Sequence, residues 1–288
     1  MKAKSSGTIC VFLSAVSFSL AGILIKLISW SPITINGIRS IFGALVMLVF
    51  MKATKHKFKV NKVVILAAVC NAIMNFTYVM ATKMTSAANA IVLQFTMPIF
   101  IIIFTAVFLG KRPKKVEVIT CVVVFLGIIC FFLDGLTSGG FLGNILAIIS
   151  GATYAIVFMQ KSIKNSDFES SVVISQFMSV VISIPFWFSE TQFGFTNWWA
   201  VILLGTVQMG LSYVLLSAGL EKVTPITASI ISTIEPILNP ILVAVFCHET
   251  IGIYSFIGAT IVICSVGVYN ILGAKEKNKD ERKEMSCS

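Results

Sequence analysis

The chain has 288 residues, of which 57% are hydrophobic and only 12% charged, with a mean hydropathy of +0.96. A soluble globular domain is excluded, because it could not hide that much apolar surface; a polytopic helical membrane protein can carry it, because lipid accepts it. The net charge of +10 does not signal nucleic acid, since the basic residues sit in short loops between apolar runs and not in a patch interleaved with aromatics.

In chain order, ten apolar spans are expected at 8–28, 33–51, 63–82, 87–109, 116–133, 141–160, 172–188, 198–217, 224–246 and 251–272. Most approach the ~20 residues that cross a bilayer as a helix. The first follows MKAKSS, but its apolar run is too long for a signal peptide and no clear cleavage site follows, so it is expected to stay in the mature protein. Lys and Arg set the orientation. With the termini on one side, that side collects every basic residue except Lys26, Arg39 and Lys83, which places both termini in the cytoplasm. Trp30, Trp198 and Trp199 then suit the opposite interface. The last residues, KEKNKDERKEMSCS, are charged and without apolar periodicity, and read as a disordered cytoplasmic tail.

The stretch 222–249 (KVTPITASIISTIEPILNPILVAVFCHE) has a twin at 84–111 (MTSAANAIVLQFTMPIFIIIFTAVFLGK), 138 positions earlier. Pro236 aligns with Pro98, Ala228 with Ala90 and Ser232 with Gln94, while Glu235 faces Met97. Ser150 and Thr153 match Ser14 and Ser17 at a shift of 136. Gln208 and Ser212 match Asn71 and Asn75 at 137, and Gln176 falls opposite Arg39. A duplicated unit with an odd number of spans must re-enter the membrane from the other side. The expected architecture is therefore an all-α integral membrane protein of ten transmembrane helices in two inverted five-helix repeats. The first repeat is set at 1–137, the second at 138–274 and the tail at 275–288.

Polar residues recur at helical spacing inside the spans. Asn71, Asn75, Tyr78 and Thr82 share a face of the third, and Ala228, Ser232, Glu235 and Asn239 a face of the ninth. Ser14, Ser17, Ser150 and Thr153 suit close helix packing, whereas the amides Asn71, Asn75 and Gln208 point to a cavity. A carboxylate at the depth of Glu235 is tolerated where it meets a cavity or a partner, so a structural pairing to a lysine or backbone amide stays open. Pro236 and Pro240 free backbone carbonyls that lipid cannot satisfy. Snorkelling of Lys26 to the interface competes with a substrate role. The seven cysteines show no CxxC spacing, and His56 and His248 have no ligand-spaced companion, so neither a metal nor a cofactor is expected.

Ten spans in two repeats, with GIRSIFGALVMLVF, TSAANAIVLQFTMPIF, IEPILNPILVAVFCHET and GATIVICSVGV, resemble the EamA family of the drug/metabolite transporter superfamily over about residues 7–273. Lys111 departs from the family pattern, which often shows Glu there. The resemblance implies a secondary transporter, commonly an exporter of amino acids, metabolites or drugs, with a cavity between the repeats. Carried onto this chain, that cavity is lined by Ser17, Asn75, Tyr78, Gln94 and Tyr154 from the first six spans. Gln208, Ser212, Ser232 and Glu235 complete it.

The expected function is alternating-access transport of a small molecule across the cytoplasmic membrane. Glu235 is either a proton-coupling carboxylate or a direct ligand for a cationic amine. No P-loop of the form GxxxxGK[ST] is present, so energy would come from a gradient or partner proteins. A channel or facilitator is the alternative, and a membrane-embedded enzyme the more distant one, lacking a nucleophile–base pair. The expected partners are the substrate, the bilayer and protons, with no nucleic acid and with room for a homodimer.

Overall fold

The computed structural model describes residues 2–84, 87–110, 112–131, 133, 140–238, 241–242 and 253–286. Lys111, Asn239, Pro240 and His248, named above, lie outside them. The helices are α1 (Lys2–Phe18), α2 (Ala21–Lys26), α3 (Pro32–Ala53), α4 (Lys62–Met84), α5 (Ala87–Gln94), α6 (Met97–Leu109) and α7 (Lys115–Phe131). The second half supplies α8 (Phe141–Met159), α9 (Phe168–Trp187), α10 (Phe195–Leu203), α11 (Ser212–Leu220), α12 (Pro225–Ser232) and α13 (Ile253–Ser286). A π-helical segment, Leu204–Leu211, joins α10 to α11. No strand occurs among the described residues.

Among the described residues, seven stretches are long and apolar enough to cross a membrane: Ser6–Ile25, Pro32–Ala53, Lys62–Ala81, Ala90–Leu109, Phe141–Ser162, Phe168–Trp187 and Phe195–Leu220. They coincide with expected spans one to four and six to eight. The other three expected spans correspond to shorter helices: the 17-residue α7 and the apolar helices Pro225–Leu238 and Ile257–Tyr269.

Local chemistry sets the starts. Ser31 caps α3 by accepting from Thr34 N, with Pro32 at the first helical position. Asp167 caps α9 through Ser170 N at 3.0 Å, and Thr224 caps α12 ahead of Pro225. Each cap satisfies an orphan N–H of the first turn, and Pro forfeits one that would have had no partner. One expectation fails at the other end of the chain, where helix α13 runs on through the charged tail to Ser286. The tail is rich in Lys, Glu and Arg, good helix formers with Glu and Lys near one another along the helix.

The halves interleave. Helix α1 packs on α11 and α4 on α8, while α3 packs on α9 and α7 on α13. Two hydrogen bonds repeat this relation. Ser14 donates to Ser212 O at 2.8 Å, and Ser150 donates to Met74 O at 3.0 Å. Ser150 is the equivalent of Ser14, so Met74 and Ser212 are equivalent too, at a shift of 138. The sequence alignment pairs Ser212 with Asn75 at 137. The one-residue difference falls on the π-helical segment, whose i→i+5 turn absorbs an inserted residue while the helix continues. Small residues permit the closest approaches: a Cβ on Gly205 would stand 2.5 Å from Arg39 O. Large apolar side chains such as Leu45, Val49, Leu66, Phe108 and Val181 remain exposed on the outside, where lipid is their solvent.

Candidate functional site

Two broken helices frame the interior. Helix α5 stops at Gln94, Phe95 and Thr96 form a turn, and α6 restarts at Met97–Pro98. Helix α12 stops at Ser232, Thr233 and Ile234 form a turn, and the helix resumes at Glu235–Pro236. Pro98 and Pro236 cannot donate to Gln94 O and Ser232 O, so each α-helical ladder is interrupted at the same point of its repeat. Threonine hydroxyls stitch both turns, Thr96 to Leu93 O at 2.6 Å and Thr233 to Ile230 O at 2.5 Å. Gly151 of α8 fits against the first break, where a Cβ would meet Gln94 O at 2.6 Å.

Between the breaks and α3 lies a buried polar network. Arg39, 4% exposed, donates from Nε and Nη2 to Asn36 Oδ1 at 3.2 and 2.8 Å, and from Nη2 to Asn75 Oδ1 at 3.2 Å. Asn75 donates to Asn71 O at 2.9 Å. Asn71 in turn donates to Ser175 Oγ at 2.9 Å and accepts from Tyr213 OH at 3.0 Å. Helices α3, α4, α9 and α11 are thus tied by side chains whose burial without partners would cost on the order of 1–3 kcal/mol per group.

The sequence-chosen residues divide among different roles. Asn75 belongs to this network. Tyr78 borders a cavity of about 50 Å³ together with Arg39, Trp30 and the isoleucines 25, 28 and 35. Glu235 is half-buried, and its Oε2 is shielded from solvent with no hydrogen-bond partner among the described residues. Tyr78, Tyr154 and Tyr213 all lie within its electrostatic reach. Gln208, in the π-helical segment, also keeps a shielded Oε1 without a partner. Ser17 is half-buried on α1, and Ser232 is buried at the end of α12. Gln94 and Ser212 act as joints between helices. Gln94 donates to Ser150 Oγ at 2.9 Å, and Ser212 offers its carbonyl to Ser14.

Sequence reasoning left Arg39 out of the expected cavity lining, and it overlooked Asn36 and Tyr213. The available signal was the i, i+3 spacing of Asn36 and Arg39, together with the alignment of Arg39 with the buried Gln176.

A second cluster joins the α3–α4 connection to the start of α9. His56 Nε2 lies 2.9 Å from Asp167 Oδ2 and 3.8 Å from Glu169 Oε2. Glu169 also binds Lys161 and Ser217, and Lys161 reaches Glu221 at 3.2 Å. Burial pushes the Asp167 carboxyl upward, but the hydrogen bonds from the Ser170 hydroxyl and N–H and from His56 outweigh it and hold the group below the usual aspartate range. Sequence spacing assigned His56 no companion; the fold brings two carboxylates to it, with donor atoms of the three residues within 4.8 Å of one another. Lys161 and Lys59 already place positive charge on these carboxylates, which disfavours a further cation there.

Membrane-crossing helices around a polar interior, with two apolar helices broken at equivalent points of the repeats, are an architecture known from membrane transporters. The chain belongs to the EamA-like transporter family, whose model matches residues 5–133 and again residues 140–271. A protein of Archaeoglobus fulgidus described as an uncharacterized transporter is 27% identical over 265 residues, spanning 90% of this chain and 94% of its own. A solved structure titled only as a crystal structure of a protein superposes with a TM-score of 0.80 at 15% identity, over 93% of this chain and 98% of that one; this likeness concerns the fold alone.

Proposed function

We propose that this protein is a secondary transporter that exports a small metabolite, an amino acid, amine or drug-like compound, by alternating access around a mid-membrane cavity. The observation that carries this reading is the pair of helix breaks at equivalent points of the two repeats, bordering an interior that holds the shielded carboxyl of Glu235. Broken helices offer hinges and unpaired backbone groups at the depth where a solute must be held. In this reading residues 1–137 and 138–274 are the two inverted units, and both termini face the cytoplasm.

Glu235 serves as the coupling group. Its Oε2 has no hydrogen-bond partner among the described residues, so this oxygen is open to take a proton on one side and give it up on the other. Counterflow in proteoliposomes tests both parts. Wild type should show saturable exchange, which a channel does not. Glu235→Gln should retain exchange while losing transport driven by a pH gradient. Loss of exchange as well would make Glu235 a direct ligand, and wild-type rates in both assays would leave it structural.

A further inference from the structure

We infer that Arg39 seats the anionic group of the transported solute, which makes that solute a carboxylate-bearing compound with an apolar body. This rests on the transport reading of the same interior. Arg39 carries a permanent charge and is 4% exposed, yet no carboxylate pairs with it among the described residues; the ion pairs found there all involve His56, Lys59 or Lys161. An isolated buried cation is costly and persists where a partner arrives from outside the fold. Asn36 and Asn75 are neutral acceptors. They hold Nε and Nη2 in place without cancelling the charge, and no hydrogen bond engages Nη1 among the described residues. The guanidinium is therefore held but unneutralised, with Nη1 left to donate to the oxygen of an incoming carboxylate.

Arg39 also borders the cavity of about 50 Å³, whose other walls are apolar: Ile25, Ile28, Ile35 and Trp30, with Tyr78 at one side. That space admits a carboxylate and a water or two but not a whole metabolite. The body of the solute must then extend past Tyr78, which lies within electrostatic reach of both Arg39 and Glu235.

The test uses matched probes that differ only in the anion: L-leucine with L-leucinamide, and 3-phenylpropionate with 3-phenylpropionamide, added to the purified protein in thermal unfolding. The carboxylates should raise the unfolding temperature by mass action and the amides should not. Arg39→Gln should weaken carboxylate binding by on the order of 100-fold, the loss expected when one partner of a buried charge pair is removed. The ligand-free Arg39→Gln protein should unfold close to wild type, because the glutamine amide can still donate to Asn36 or Asn75 while the uncompensated charge is shed. Equal stabilisation by the amides overturns the proposal, as does a panel in which neither carboxylate stabilises wild type. A ligand-free variant that unfolds well below wild type also overturns it, since Arg39 would then be structural. Binding needs no gradient, so the two readings fail separately: carboxylate binding without exchange in vesicles removes transport and keeps the subsite, and exchange that ignores the carboxylate does the reverse.

Discussion

At the residue scale, Asn75 and Gln208 separate two kinds of polar side chain that look alike in a hydropathy trace. Asn75 donates to Asn71 O and accepts from Arg39, so replacing it with leucine removes an acceptor from a buried charge. Gln208 Oε1 has no partner among the described residues. Asn75→Leu should therefore cost about 1–3 kcal/mol of stability, and Gln208→Leu distinctly less. Thermal unfolding of the two variants in detergent checks the order, and equal losses would mean that the network around Arg39 carries little of the fold. The amide stripe of α4 was legible from helical spacing alone. Its division of labour was not, because the partners Arg39, Ser175 and Tyr213 stand on other helices and no local pattern records which of them a given amide reaches.

At the scale of elements, the two breaks were legible and the π-helical segment was not. Proline marks a break directly, since it removes a donor from the ladder, and the alignment of Pro98 with Pro236 placed both. The inserted residue in Leu204–Leu211 leaves no mark on hydropathy and only changes the repeat shift by one, which single-residue matching absorbed into the pairing of Asn75 with Ser212. Crossing length was also hard to read in the second half: the expected ninth span runs into residues that start a new helical segment at Glu235. Pro236→Ala returns a donor that can reach Ser232 O and straighten the break. The variant should fold with stability near wild type yet exchange solute several-fold more slowly in counterflow. Undiminished exchange would place the moving joint elsewhere, and α5–α6 with Pro98 would be the next candidate.

For the whole molecule, the interleaved halves produce two seals from equivalent loop pairs. At one end Trp30 donates to Gln192 O, Ser31 N donates to Glu190 Oε1 at 2.8 Å, and Asn197 donates to Ser29 Oγ at 2.9 Å. At the other end Asn61 donates to Asn165 O, Lys59 N donates to Ser170 Oγ, and His56 binds Asp167. One seal is padded by aromatics, with Trp30 edge-on to Trp198 at 5.3 Å; the other is ionic. Under the proposed alternating access each seal opens in turn, so weakening one should bias the protein toward that side. With Ile35→Cys as a reporter beside the Arg39 cavity, Glu190→Gln should speed labelling by an impermeant thiol reagent from the Trp30 end, and Asp167→Asn should slow it. The sign of the pH effect follows from Asp167. Its carboxyl is held below the usual range, so its contribution is complete above the ordinary aspartate pKa of about 3.9 and fades only as pH falls through the lower folded value. Between pH 5 and 8 Asp167 therefore stays ionised and keeps its hydrogen bonds from Ser170, and acidification in that window should not reproduce Asp167→Asn. Labelling that falls at pH 5 to the Asp167→Asn level would show that the ionic seal titrates as a unit; labelling that both variants leave unchanged would make the two seals static joints.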